Sequence, residues 1–191
     1  MALPDLDLPH FPLHPNAYRL KLFAEQAGVC EVYKQPRHYQ YTGVFYSQEE
    51  VDCICPWCVA DGSAADKFAG CFNDAMGIEG TEFGAEDADG EVKVTWTLAE
   101  ADITQVCKHT PAYSSWQQGQ WLVCCGKPCA FIAYADSAML TPIWSEIEAD
   151  VLAHGIPVTW VREHLRVDGD LAGYLFQCVD CGKHRLHLDC A

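Results

Sequence analysis

The apolar positions of this chain fall into short runs with two different periods. Residues 39–47, YQYTGVFYS, alternate aromatic with small or polar side chains around Thr42-Gly43, which predicts strand–turn–strand. GYLFQC and HRLHLDC, on either side of Cys178-Val-Asp-Cys181-Gly182, read as two further strands. A helical period appears over 141–157, with Thr141 as cap, Pro142 in the first turn, and Gly155 and Pro157 as terminators. Ile143, Ile147, Val151 and Leu152 share one face of that helix, leaving Glu146, Glu148 and Asp150 as a solvated face.

A second helix is predicted over 97–109, because Thr97 and Glu100 have capping-box spacing and Pro111 follows. Leu98, Ala101, Ile103 and Val106 would turn to its core side. Residues 61–70 carry one or two helical turns between an Asp61 or Ser63 cap and Gly70. The Gly- and acid-rich stretch 76–91 reads as an exposed loop. Short strands and short helices without a repeating βαβ order predict an α+β fold. Small antiparallel sheets would carry zinc-ribbon-like cysteine knuckles beside a few short helices. No solenoid-length repeat and no long linker interrupts the 191 residues, so one domain is expected over 1–191.

Charge changes that picture from a fold to a surface. Asp and Glu number 27 against 12 Lys and Arg, a formal −15. Nine of the acids lie between residues 74 and 102, where Lys93 is the sole base. Residues 128–161 add four acids and no Lys or Arg. Such a chain repels phosphate backbones, so nucleic acid is not an expected partner. It attracts basic protein surfaces instead; an acidic surface kept for solubility is the competing explanation. No segment approaches 18 apolar residues, and Asp5, Asp7 and the early prolines break any ordinary signal peptide. A cytoplasmic protein without a membrane partner is expected.

In a reducing cytosol, the twelve cysteines are metal ligands or reduced thiols before they are disulfides. The sharpest pair is Cys178 and Cys181, where C-x-x-C-G sets two thiolates about one ligand edge apart and the glycine permits the tight bend. Cys125 supplies a third ligand, and Cys129 or Cys190 the fourth. Cys124 is set aside, since neighbours on an extended chain point to opposite faces. Cys55 and Cys58 form a second C-x-x-C, with Cys30 as their partner. Tyr33 stands where a ribbon would place a fourth cysteine, leaving Cys53 or His38 to complete the set. The cofactor expected at both places is Zn2+; the alternative is a cluster of buried thiols packed as small hydrophobes.

A redox use of Cys55-Pro-Trp-Cys58 would want a long helix behind the first cysteine. Asp61-Gly62 interrupts it. His10 and His14 lie in a proline-rich lead segment suited to the surface, and His184 and His187 flank the C-terminal knuckle as outer or exposed groups. No G-x-S-x-G, H-E-x-x-H or P-loop pattern occurs. No catalytic set of residues is expected.

LPHFPLHPN, YTGVFYS, CPWCVADGSAADKF, HTPAYSSWQQGQWLVCCGKPCAFI and YLFQCVDCGKHRLHLDC follow one another from residue 8 to residue 190. In these pieces, and in their order, the chain resembles the CbrC family, bacterial proteins associated with colicin tolerance. It departs from the family at Tyr33, where the family has the second cysteine of a pair, and at Cys124, where it tends to have histidine. The resemblance implies metal ligation at Cys55, Cys58, Cys125, Cys178 and Cys181, and tolerance to a bacterial toxin rather than a reaction. With the charge, it predicts a non-enzymatic zinc protein that docks Glu82, Glu86, Asp87, Asp89 and Glu91 on a basic toxin such as a nuclease. The alternatives are a thiol- or metal-dependent enzyme of disulfide oxidoreductase type using Cys55 and Cys58, or a zinc-binding adaptor for an unrelated protein.

Overall fold

The computed structural model describes residues 7–87 and 90–190, so Asp89 lies outside the described residues. Among the described residues the fold is α+β, with four small antiparallel sheets and short helices between them. Its centre is a three-stranded sheet of β7 (Ala130–Ala135), β8 (Leu171–Gln177) and β9 (His184–Cys190), in that order. The hairpin on either side of Cys178–Cys181 forms as the alternation predicts, with Leu171 opposite Cys190 and Gln177 opposite His184. β8 is buried on both faces because each face has its own cover.

One cover is helical. α4 (Ser137–Leu140), α5 (Trp144–Ala153) and α6 (Val158–His164) connect β7 to β8. Trp144, Ile147 and Val151 of α5 pack with Leu165, Leu175, Leu186 and Leu188. The predicted single helix from Thr141 is shorter: 141–143 is one 3-10 turn, and Asp136 caps α4 by accepting from Met139 N–H. Leu152, expected on the buried face, is exposed, since the stripe that meets the sheet runs through 144, 147 and 151 at helical spacing. Gly155 ends the helix with φ of 71°.

The other cover is aromatic. Tyr113 stacks on Phe131 at 4.7 Å, and Trp121, Phe131 and Phe176 meet edge-on around it. Pairs of this kind add about 0.5–1.5 kcal/mol each beyond burial. The lead segment enters this layer: Phe131 N–H donates to Leu13 carbonyl, and His14 Nδ1 donates to Pro111 carbonyl at 2.9 Å. His14 is therefore a core residue, 1% exposed, and not the surface group its proline-rich setting suggests.

A second core lies under β1 (Phe23–Val29) and β2 (Pro36–Tyr41), an antiparallel hairpin pairing Phe23 with Tyr41. Phe11, Phe23, Tyr41, Val59 and Phe72 fill it. The chain bends at Gly43, but β2 pairs backward with β1, and the segment beyond the bend bridges from Tyr46 to Cys71. α2 (Ser63–Lys67) is the helical turn predicted over 61–70; α1 (Pro56–Ala60), ahead of that stretch, is an addition to it, and Gly62 at φ of 77° parts the two. The loop expected over 76–91 is instead mostly hairpin, β3 (Thr81–Glu86) paired with β4 (Val92–Trp96). Its glycines and acids conceal the alternation because both faces are exposed. α3 (Glu100–His109) ends before Pro111 as expected, but Ala99 starts it with no side-chain cap, so the capping box does not form. Among the described residues, no helix is long and apolar enough to cross a membrane.

Burial gives the fold a pH dependence. Burial pushes His14 down to about 4, against the Pro111 carbonyl that favours its charged form. Burial, then the neighbouring His154 ring, pushes His187 down to about 4, opposed by Asp189. Both folded values lie below the unfolded value of about 6.5, so the unfolded chain takes up protons first. Stability from these groups is complete above about pH 6.5 and is lost as pH falls toward 4, by at most roughly 3 kcal/mol each. Denaturant titrations at pH 7.5, 6 and 5 should show this fall. His187→Phe, which keeps a ring against Tyr174, should flatten it; an unchanged slope would remove His187 as a cause.

Candidate metal centres

The C-terminal centre is assembled from two tight turns. β5 (Val123–Cys124) and β6 (Lys127–Pro128) are joined by Cys125-Gly126, with φ of 55° and 70°. Positive φ at both turn residues is the two-residue hairpin geometry that lets short strands keep their twist. This turn overturns the argument against Cys124. Alternation applies to extended chain, and Cys125 is in the left-handed region, so both thiols reach the same side with their sulfurs 3.9 Å apart.

The facing turn is the β8–β9 knuckle. Gly182, at φ of 73°, lets its N–H return to Cys178 carbonyl, while Cys178 N–H donates to Lys183 carbonyl at 2.8 Å. Cys181 N–H points at Cys178 Sγ, 3.5 Å away. Cys124 Sγ lies 3.8 Å from Cys181 Sγ, and the four sulfurs of Cys124, Cys125, Cys178 and Cys181 all lie within 4.8 Å of one another. A tetrahedron with metal–sulfur bonds of about 2.3 Å has edges of about 3.8 Å. The separations of this tetrad fit such an ion without rearrangement of the backbone. Burial works against ionisation of Cys178, but the N–H groups of Cys181 and Asp180, with the neighbouring thiols, outweigh it and hold Cys178 down at about 7.

Two expected fourth ligands lie elsewhere. Cys129 is fully buried against the core, where burial pushes its thiol up to about 12. Its backbone is fixed there by Cys129 N–H to Leu122 carbonyl and Trp121 Nε1–H to Cys129 carbonyl. Cys190 ends β9, six residues beyond His184, and at about 3.3 Å per residue that is about 20 Å from the knuckle end of the strand.

Arg185 locks the two turns together. Its guanidinium donates to Asp150 of α5 at 3.0 Å, to Glu79 at 2.9 and 3.2 Å, and to Val123 carbonyl at 2.5 Å. Glu79 also accepts from Val123 N–H at 2.7 Å. Glu146 accepts from His184 N–H and Nδ1. Two members of the predicted solvated face of α5, Glu146 and Asp150, thus face β9; Glu148 alone is exposed. His187, expected as an outer or exposed group, is buried against Tyr174.

The second centre gathers Cys30, Cys55 and Cys58, all fully buried. Cys30 closes β1, and Lys34, at φ of 55°, turns the chain back so that its N–H donates to Cys30 carbonyl. Cys58 Sγ is 3.1 Å from both Cys30 and Cys55, tighter than a tetrahedral edge. Tyr33 completes no ligand set; its hydroxyl donates to Asp61. Cys53 is buried beside Gly28, outside the trio. Residues 51–55 are not strand, so the two-residue spacing of Cys53 and Cys55 does not align their thiols. His38 sits in β2, also outside the trio.

Hydrogen bonding from the Cys58 thiol lowers Cys55, and Cys58 N–H, Cys30 and Arg37 add to it, against burial; Cys58 is raised in return. Arg37 is held over Trp57 at 4.8 Å and over Tyr33 at 5.5 Å. Neither Arg37 nor Arg185 carries a motif that marks it in the sequence.

Fold and site together define a small α+β protein with two cysteine groups that could hold metal ions. The chain belongs to the uncharacterised protein family UPF0167, whose model matches residues 8–190. It is 35% identical over 188 residues to a UPF0167 protein of Pseudomonas aeruginosa, covering 95% of this chain and 97% of the relative. UPF0167 proteins of Mycobacterium bovis and Mycobacterium tuberculosis are 31% identical over 195 residues, covering 96% of this chain and 94% of each relative. No solved structure matches.

Proposed function

We propose that the chain is a zinc-stabilised, non-enzymatic protein of the cytoplasm that confers tolerance to a bacterial toxin by binding it. The resemblance to the CbrC family supports toxin tolerance, and the four-cysteine group, soft sulfur throughout, supports zinc over harder ions. The single observation that carries the binding reading is the β3–β4 hairpin. Nearly every residue of both strands is exposed, including Phe83, Val92 and Trp96. A two-stranded hairpin with so little cover is marginal on its own. Apolar side chains set among Glu82, Glu86 and Glu91 suit an interface with a basic protein, with the charges steering encounter.

The test is Glu82→Lys, Glu86→Lys and Glu91→Lys combined. Cells expressing the parent should survive a nuclease colicin. The triple variant, with unchanged melting temperature, should lose protection, and its association rate with the purified toxin should fall by about tenfold to a hundredfold at low salt. Unchanged protection and on-rate would return the hairpin to a surface kept acidic for solubility. A second reading, a thiol enzyme using Cys55 and Cys58, draws on the lowered Cys55 and its Arg37 neighbour. Burial of all three sulfurs weighs against it, since a substrate disulfide must reach the attacking thiolate. Insulin reduction by metal-free protein, abolished in Cys55→Ser, would promote that reading over the first.

A further inference from the structure

A cleft of about 600 Å³ opens between the 44–46 segment, the chain at 71–74 and the stretch 112–121. It is distinct from both cysteine groups. Phe72, Tyr113 and Trp121 form its floor and Tyr46 stands exposed at its side. A close backbone approach braces one wall: a Cβ at Gly77 would lie 2.3 Å from Gly119 carbonyl, so only glycine fits there.

Asn73 commits its amide N–H groups to Val106 and Thr110 carbonyls, both at 2.8 Å. Gln117 commits its amide nitrogen to Cys190 carbonyl, and Gln118 commits its own to Asp74 at 2.6 Å. Asn73 has only its carbonyl oxygen left to offer a ligand, while Gln117 and Gln118 each keep a carbonyl oxygen and one N–H. Asp74 adds a carboxylate anchored by Met76 N–H at 2.9 Å. No Lys, Arg or His lines the cleft. The 75–77 turn that follows Asp74 is tied to the acidic hairpin by Trp96 Nε1–H to Ala75 carbonyl at 2.9 Å.

One carboxylate, amide oxygens and an aromatic face, with no cationic side chain beside them, disfavour phosphates and carboxylates as occupants. They match a planar cation that carries five N–H donors and no acceptor. We infer that this cleft binds a guanidinium group, presented by an arginine side chain of a protein or peptide. The exposed ring of Tyr46 takes its face and the oxygens of Asp74, Asn73 and Gln118 take its edge. This site goes beyond the toxin-tolerance reading and stands without it.

The test uses the full chain, 15N-labelled, titrated with N-acetyl-arginine methylamide and, separately, with the uncharged isostere N-acetyl-citrulline methylamide. The arginine probe should bind at millimolar concentration, with amide shifts at 73–74 and 113–121. The citrulline probe, and the arginine probe with Asp74→Asn, should bind at least about tenfold more weakly, the loss of one charge-assisted contact. The citrulline arm needs no variant, and the asparagine keeps an oxygen for Met76 N–H. No binding, equal binding of the two probes, or shifts confined to 81–96 would overturn the site. Guanidinium binding that persists in a chain unable to protect cells would overturn the proposed function and leave the cleft standing.

Discussion

Cys181→Ser should release about one equivalent of zinc per chain and lower the melting temperature by about 10 °C or more. The expectation follows from geometry. The four sulfurs of the tetrad are spaced for a tetrahedral ion, and they come from two turns tied to each other by Arg185 to Val123 carbonyl and by the long contact of Cys178 Sγ to Cys124 carbonyl. A metal there joins β5–β6 to β8–β9, so binding free energy becomes folding free energy. Serine keeps the volume of the side chain but is a poor ligand at neutral pH. Cys124→Ser should behave like Cys181→Ser, because Cys124 Sγ is as close to Cys181 Sγ as a ligand edge requires. Cys129→Ser should leave metal content unchanged and cost stability only through a buried hydroxyl. Zinc content by mass spectrometry of the native protein decides between these. Full occupancy of Cys181→Ser, or metal lost from Cys129→Ser alone, would sink the assignment of the tetrad.

The parts of this molecule that short-range rules govern were legible before the structure. The Cys178–Cys181 knuckle needs only a glycine two strands can turn on, and α5 needs only its apolar period. The errors have a common source, which is geometry set by distant contacts or by a local turn mistaken for extended chain. Cys124 was set aside by the alternation of a strand, whereas Cys125 has φ of 55°. His14 is buried by Pro111, 97 residues away. The β3–β4 hairpin has no buried face, so the hydrophobic alternation that reveals strands was absent there. The amide side chains of the cleft look like a polar loop until the structure shows which of their N–H groups are already spent.

Arg185→Met should cost about 3 kcal/mol and weaken metal binding about tenfold. No local pattern marks this residue, since its partner Glu79 is 106 positions away. Its side chain is 18% exposed, and burial works against its charge, but Glu79 and Asp150 outweigh that and hold it firmly ionised. Removing a guanidinium of this kind leaves two carboxylates facing each other without a cation. Breaking a buried pair costs about 3–5 kcal/mol; the lower end applies because Glu79 is 40% exposed and water screens it. Methionine fills the space of the Arg185 stem, so the loss reports charge and hydrogen bonding rather than a cavity. The metal effect arises through Val123. Its carbonyl accepts from Arg185 and its N–H donates to Glu79, which together fix the strand that carries Cys124. Supporting contacts of this order change metal affinity by about 10–100-fold when removed. Chelator competition on the variant should therefore strip zinc at about a tenth of the parent's free chelator concentration. A lowered melting temperature with unchanged competition would make Arg185 a strut of α5 and β9 that does nothing for the metal centre. An unchanged melting temperature would mean that water replaces the guanidinium at no cost, and the ion network would lose its place in the account of this fold.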